Sequence, residues 1–237
     1  LVGDCRDAVG EIWFEPLAPL DSTLTKYLFT SAKLSVQVHP RGELSPTGRG
    51  KDECWLILEA EAGARLAVGF RQDINEDEIR AAALDGSIEH LLDWRDVSAH
   101  DFLYVPAGTV HAMGPGLTLI EVQQNTDITY RLYDYGRDRP LHLDDAVKSV
   151  IGSAYQEDLE RNIDPRLSQV LVDGPWFSLA HIASETGAHI LERFAGPAQL
   201  VPIEGRCTSS AVPIESGSSA MVASVQDVDF SECARCL

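Results

Sequence analysis

The chain has 237 residues, 44% of them hydrophobic, enough to bury one large β domain or two small ones, so disorder is not expected. Its net charge of −18, from 19 Lys and Arg against 37 Asp and Glu, repels nucleic acid and anionic lipid. No apolar run approaches the roughly 18–20 residues of a membrane span, and no signal-peptide pattern opens the chain.

Short segments rich in Val, Ile, Leu, Tyr and Thr, separated by Gly, Pro and Asp, predict a mostly β protein. In chain order, strands are expected over 34–39, 54–59, 102–105, 117–123 and 129–133, then over 177–182, 189–194, 199–202 and 220–223. Asn75–Leu92 breaks that pattern with a capping residue, an acidic first turn and good helix formers; Gly86 splits it into two short helices. Leu143–Ile151, with Asp144 and Asp145 near its start, predicts a further helix. His90, His181 and His189 are expected to be surface, core or edge histidines rather than ligands.

The five cysteines, at 5, 54, 207, 233 and 236, are odd in number and scattered, which argues against a disulfide framework and favours the cytoplasm. Cys233-Ala-Arg-Cys236 has zinc-ligand or redox spacing, but no second Cys pair accompanies it, and it reads as two incidental residues near the end of the chain.

Three segments carry metal-capable side chains. In Leu34-Ser-Val-Gln-Val-His39, alternation along a strand puts Gln37 and His39 on one face, with Leu34, Val36 and Val38 on the other. Lys51-Asp-Glu53-Cys-Trp-Leu-Ile-Leu58 sets a carboxylate at the mouth of an apolar strand, and Pro106-Ala-Gly108-Thr-Val-His111 delivers a second histidine after a tight turn. One carbonyl oxygen, two imidazoles and one carboxylate suit a divalent ion: zinc, iron, manganese or cobalt. The segment from Leu34 to Glu43 resembles a first cupin motif, in which a glutamate follows two alternating histidines within a few residues; Glu43 therefore competes with Glu53 for the carboxylate position, and that motif's spacing favours Glu43.

Pro106–His111 matches the second cupin motif, P-x-G-x-x-H. A fuller resemblance covers residues 10 to 150. Leu34–Pro40, Gly50-Lys-Asp-Glu-Cys-Trp55, Val105–Ala112, Glu121-Val-Gln-Gln-Asn-Thr-Asp-Ile-Thr-Tyr-Arg131 and Asp134-Tyr-Gly-Arg137 look like the short bacterial class of mannose-6-phosphate isomerases. The resemblance implies a mainly β chain with a cupin (jelly-roll) barrel, short helical insertions and a second, smaller, metal-free β domain. The expected division is a metal-binding catalytic domain over 1–143 with its helical insertion near 75–95, a helical connector over 144–158, and a cupin-like β domain over 159–237.

The resemblance assigns the metal to Gln37, His39, Glu53 and His111, with zinc the expected ion, and leaves Glu43 a solvated loop residue. It places Lys26 at the substrate phosphate and gives Lys51, Asp127 and Arg131 to catalysis; Arg41 is expected to help Lys26 neutralise the phosphate. Asp127 and Arg131 are four residues apart, roughly 13 Å along an extended strand, so both reach one substrate only if the chain bends. Gly50 stands where larger relatives carry a histidine, so a proton-shuttle role for that histidine does not transfer. Trp13, in Gly10-Glu-Ile-Trp13, is expected to pack near the site entrance, and Arg139 and His142 fit the family pattern without a physical role.

The activity implied is reversible isomerisation of mannose 6-phosphate to fructose 6-phosphate through an enediol(ate), with Asp127, Lys51 or a metal-bound water as the base. The alternatives are another cupin sugar-phosphate isomerase, or a cupin that binds a sugar phosphate without turnover. The expected partner is a small phosphorylated sugar, not nucleic acid or membrane, with the protein a monomer or homodimer.

Overall fold

The structure, a computed structural model, describes residues 8–183 and 188–237. Cys5 and the side chain of His189 lie outside the described residues. The chain divides into two compact units, one of Gly10–Trp13 and Thr25–Asn162, the other built mainly from Ile163–Leu237 with Phe14–Leu24.

The first unit is formed around eleven strands: β1 (Glu11–Phe14), β2 (Thr23–Thr30), β3 (Val36–Val38), β4 (Glu53–Ala60), β5 (Arg65–Phe70), β6 (Leu92–Asp96), β7 (Asp101–Val105), β8 (His111–Met113), β9 (Leu117–Gln124), β10 (Tyr130–Tyr133) and β11 (Glu160–Asn162). They form two sheets, in the orders β1-β2-β9-β4-β7-β11 and β10-β3-β8-β5-β6. This is the expected cupin-type barrel, and strand alternation explains its filling. Leu28, Trp55, Ile57, Leu103, Val105, Leu117 and Leu119 from the first sheet meet Leu66, Val68 and Met113 from the second in one buried cluster. Each such fully buried side chain contributes about 1.5–3 kcal/mol.

The outer face of the second sheet is apolar too, because helices cover it. Val36, Val38, Ala67, Ala112 and Leu132 pack against Ile79, Ala82 and Ala83 of α1 (Glu76–Asp85), Ile88 of α2 (Ile88–Leu91), and Ala146 and Val147 of α3 (Leu143–Ser149). The helical insertion follows its sequence signals. Asn75 Oδ1 accepts from Glu78 N–H while the Glu78 carboxylate accepts from Asn75 N–H, a reciprocal cap. Gly86 ends α1 in the left-handed region, at φ 83°.

The second unit holds β12 (Gln169–Asp173), β13 (Ser178–Ala183), β14 (Ala198–Leu200), β15 (Pro202–Ser209), β16 (Val212–Glu215), β17 (Ala220–Val222), β18 (Val228–Asp229) and β19 (Cys233–Cys236), with a helix, α4 (Ala188–Arg193). Its main sheet runs β12-β13-β19-β15-β16, with β18 pairing β15, and β14 pairs β17 separately.

Three expectations are corrected here. The strand expected over 189–194 is α4: Phe194 N–H donates to Ile190 O, and Ile190, Leu191 and Phe194 pack on one cluster. Ile190 and Phe194 stand four apart, and so short an apolar run does not distinguish a helix from a strand by period. The strand expected over 199–202 is two strands that meet at Val201, whose N–H and C=O both bond Leu237. The expected strand over 34–39 is shorter, Val36–Val38, and is entered by an isolated bond from Leu34 N–H to Met113 O.

The turn before β8 fixes the mouth of the barrel. Gly108 has φ 94°, its N–H donates to His39 O (2.7 Å), and its C=O accepts from Ile151 N–H (2.8 Å). A Cβ there would lie 2.9 Å from the Ile151 side chain and 3.2 Å from Ser149 O. Gly108→Ala is therefore expected to cost about 1–3 kcal/mol, read as a lower urea midpoint at unchanged slope. An unchanged midpoint would show that the turn relaxes freely.

Candidate metal centre and cavity

Side chains alternate along β4 so that Glu53, Trp55 and Ile57 face the barrel interior, and along β9 so that Leu119, Glu121 and Gln123 do. The interior is thus apolar at one end and polar at the other. The second sheet repeats this in one transverse row: Arg131 on β10 stands opposite Gln37 on β3, and Gln37 stands opposite His111 on β8. His39 lies just beyond β3, on the face of Gln37.

The four expected ligands converge. His39 and His111 are each 2% exposed and Glu53 is 1% exposed. His39 Nε2 lies 3.3 Å from Glu53 Oε2, and His111 Nε2 lies 3.5 Å from Glu53 Oε1 and 3.2 Å from Gln37 Nε2. One donor atom from each of His39, Glu53 and His111 falls within 4.8 Å of the others.

The imidazoles are oriented by the backbone. His39 Nδ1 donates to Ile128 O (2.8 Å) and His111 Nδ1 donates to Thr109 O (3.0 Å), which turns both Nε2 lone pairs to the centre. Gln37 Oε1 accepts from Ser35 Oγ (3.0 Å). A hydroxyl serves equally as donor or acceptor, so the amide can present its oxygen to the centre and keep this partner. Neither Glu53 oxygen has a hydrogen-bond partner of acceptable geometry. A buried carboxylate without such partners is costly, and a cation placed among these atoms offsets that cost.

In this structure that positive charge is the Lys51 ammonium. Its Nζ stands 3.0 Å from His39 Nε2 and, outside the directional range of a hydrogen bond, 3.1 Å from Glu53 Oε2. Burial works against charge on Lys51, but the Glu53 and Glu121 carboxylates outweigh it and raise its pKa. Burial likewise opposes ionisation of Glu53, yet Lys51 and the two histidines hold its carboxyl well below the usual range. Burial, then Lys51, lowers His39 to about 4, and burial lowers His111. The centre is therefore built to keep its imidazoles neutral and its carboxylate charged, the forms that bind metal.

Around the centre lies a cavity of about 200 Å³. Lys26, Lys51, Asp127 and Arg131, all expected from the sequence, line it, as do Trp13 and Arg139. Lys26, 7% exposed, pairs with Glu121 (3.2 Å) and sits 4.2 Å over the Trp13 ring. Glu121 carried no role in the sequence reading, although its parity with Gln123 on β9 is the signal for an inward carboxylate. Asp127 is exposed in the β9–β10 loop, where Thr126 N–H donates to Gln124 O; that turn is the bend that lets Asp127 and Arg131 line one space. Glu43 and Arg41 are not brought to the cavity: they pair with each other at the surface, 65% and 47% exposed.

The two residues without a role acquire one. His142 clasps the Arg131 backbone, its N–H donating to Arg131 O (2.9 Å) and its Nδ1 accepting from Arg131 N–H (3.2 Å). Arg139 is held at the cavity wall by Asp134, which is 2% exposed and also binds Arg137. On the opposite face of β4, Asp52 accepts from Tyr104 Oη (2.6 Å) and from Ala107 N–H (3.1 Å). That brace ties the strand carrying Glu53 to the turn that delivers His111.

No family model matches the chain. It is 41% identical over 138 residues to a mannose-6-phosphate isomerase of Streptococcus mutans, covering 52% of this chain and 42% of the relative. It is 37% identical over 169 residues to mannose-6-phosphate isomerase ManA of Bacillus subtilis, covering 66% and 53%. The chain thus spans about half the length of the curated relatives it matches. Among solved structures, the mannose 6-phosphate isomerase of Bacillus subtilis matches 90% of this chain and 73% of its own, at 25% identity and TM-score 0.68. A zinc-bound mannose 6-phosphate isomerase shares the fold, at 14% identity over 91% of this chain and 77% of its own, with TM-score 0.65.

The depressed pKa of His39 has a measurable consequence. Between its ordinary value of 6.5 and about 4, the unfolded chain binds a proton that the folded chain refuses. The metal-free protein is expected to lose stability as pH falls through that window, by up to about 1.4 kcal/mol per pH unit for this one proton. His39→Gln should flatten the slope in urea titrations from pH 7 to 4; an unchanged slope would place the lost stability elsewhere.

Proposed function

We propose that this chain, which belongs to the mannose-6-phosphate isomerase family, is a metal-dependent aldose–ketose isomerase that interconverts mannose 6-phosphate and fructose 6-phosphate. The observation that carries the reading is the buried convergence of His39, Glu53 and His111, with Gln37 beside them, on the wall of a cavity that also presents Arg131. Gln37, His39, Glu53 and His111 would hold a divalent ion, for which zinc suits the donor set. Bound there, it would supply Lewis-acid stabilisation of the substrate oxygens.

The remaining roles follow from charge and position. His39 Nε2 cannot serve both the Lys51 ammonium and a metal ion, so metal binding would free Lys51 for substrate. As an ammonium it would donate hydrogen bonds to the substrate oxygens. Asp127, an exposed carboxylate on the cavity wall, is the group available to take the proton from C2 and return it at C1. Arg131, for which no ion pair is found among the described residues, would stand against the negative charge that develops on the adjacent oxygens.

The cavity resolves how so acidic a chain would accept a phosphate. Lys26, Lys51, Arg131 and Arg139 line it against Glu11, Glu53, Glu121 and Asp127, four charges of each sign, whereas the whole chain has 19 against 37. A divalent ion would turn that balance positive. Lys26 and Arg139 are the phosphate-binding candidates, each already placed by a carboxylate, Glu121 and Asp134.

A coupled assay of mannose 6-phosphate turnover, before and after chelation and metal add-back, tests the activity. Glu53→Gln is expected to abolish metal retention and turnover, Arg131→Ala to lower kcat by roughly 10²–10³-fold, and Glu43→Gln to change neither. Metal and activity surviving Glu53→Gln but not Glu43→Gln would reverse the carboxylate assignment. Binding of mannose 6-phosphate without formation of fructose 6-phosphate would make the chain a sugar-phosphate binder, and faster turnover of glucose 6-phosphate would change the substrate.

A further inference from the structure

Of the four side-chain cations that line the cavity, three are placed by a carboxylate. Lys26 pairs with Glu121, Lys51 with Glu53, and Arg139 with Asp134. For the Arg131 side chain, no hydrogen bond or ion pair is found among the described residues. Its guanidinium is therefore placed only through its own backbone. That backbone lies on β10, the edge strand of the second sheet, with an irregularity of register between Arg131 and Tyr133. Alternate residues of an edge strand turn their N–H and C=O away from the sheet. Arg131 is one of them, and both groups meet His142 instead of a strand: Arg131 N–H donates to His142 Nδ1 (3.2 Å), and His142 N–H donates to Arg131 O (2.9 Å).

The second of these bonds is backbone to backbone, which any residue but proline would supply. The first requires an acceptor at the Nδ1 position of a half-buried side chain, with the ring proton on Nε2. His142 is itself fixed. Its C=O accepts from Ala146 N–H (2.8 Å) in the first turn of α3, whose Ala146 and Val147 are buried against the sheet, and its ring lies 6.0 Å from that of Tyr130. The chain returns to β10 through a turn in which Arg137 N–H donates to Asp134 O (3.0 Å), the same turn that brings Arg139 to the cavity wall. An anchored helix thus ends on the one cavity cation that has no tether of its own.

We propose that His142 is a positioning residue for Arg131: its imidazole stands in for a missing sheet neighbour and fixes the point on β10 from which the guanidinium reaches the reacting oxygens. This rests on the isomerase reading given above. His142 is not among the residues lining the cavity, so it acts through the Arg131 backbone and not on substrate. Stabilisation of developing charge depends on donors held in place before the reaction, and a misplacement of about 1 Å costs up to about 10²-fold in rate. Loss of the imidazole acceptor therefore falls on kcat, while the metal and phosphate contacts that hold the ground state remain.

The test compares two variants of the metal-loaded full chain: His142→Phe, which keeps a ring without the acceptor, and His142→Asn, whose Oδ1 stands near the Nδ1 position. His142→Phe is expected to retain metal, to lower kcat for mannose 6-phosphate by roughly 10–10²-fold at little-changed KM, and to speed hydrogen exchange at the Arg131 amide. His142→Asn should recover most of the lost rate. In an Arg131→Ala background His142→Phe should add no further loss, because one residue acts through the other. Equal kcat in wild type and His142→Phe, or additive losses in the double variant, overturns the proposal. If His142→Phe does not fold, His142→Gln, whose amide reaches the Nε2 position instead, takes its place in the same comparison. A wild-type chain without turnover of mannose 6-phosphate would defeat the isomerase reading; amide exchange then decides the positioning alone, and an unchanged Arg131 rate overturns it.

Discussion

The structure of the first unit depends on one constraint: the Glu53 carboxylate is buried and charged at the first residue of β4, without well-formed hydrogen bonds to its oxygens. Such a group destabilises a fold unless cations or hydrogen-bond donors are arranged around it. Here the Lys51 ammonium supplies the positive charge, while two imidazoles, each locked by an Nδ1–H bond to a backbone carbonyl, turn their Nε2 lone pairs to the same point. The carbonyls come from Ile128 and Thr109, in the segments that lead into β10 and β8, so the centre also ties the mouth of the barrel together. Asp52, one residue before Glu53 and facing the other way, completes this by tying β4 to Tyr104 and Ala107.

Lys51 gives the centre two charge states. Without metal, the ammonium neutralises Glu53 and occupies the lone pair of His39. With metal, the same ammonium would be released beside the Arg131 guanidinium on the cavity wall. A lysine two residues from the carboxylate points to the same face on a strand, and that spacing is what allows it to serve both states.

Much of this was legible in the sequence because strand alternation is a strong signal when one face is apolar and the other carries chemistry. Gln37 and His39 could be placed on one face from their neighbours alone, Glu53 came from the family resemblance, and the proline-glycine turn announced His111. The helical insertion was legible from Asn75 and Gly86, whose roles are local. What depends on tertiary partners was not. Spacing favoured Glu43, yet a three-residue 3-10 turn (Gly42–Leu44) carries it into solvent. The lysine at position 26 looked like a free phosphate ligand, while Glu121, 95 residues away in the chain, already pairs with it. The helix at 188–193 was misread because a six-residue segment with adjacent apolar residues at 190 and 191 fits either period.

The account stands on a cation held jointly by four side chains from separate segments of one barrel. Anomalous diffraction from a zinc-loaded crystal, recorded on both sides of the zinc absorption edge, tests this most directly. The account predicts a peak bonded to His39 Nε2, His111 Nε2, a Glu53 oxygen and the Gln37 amide oxygen, at about 2.0–2.2 Å, with the Lys51 ammonium displaced from His39. A fully loaded crystal with no peak among these atoms, and Lys51 still in contact with His39 and Glu53, would contradict it.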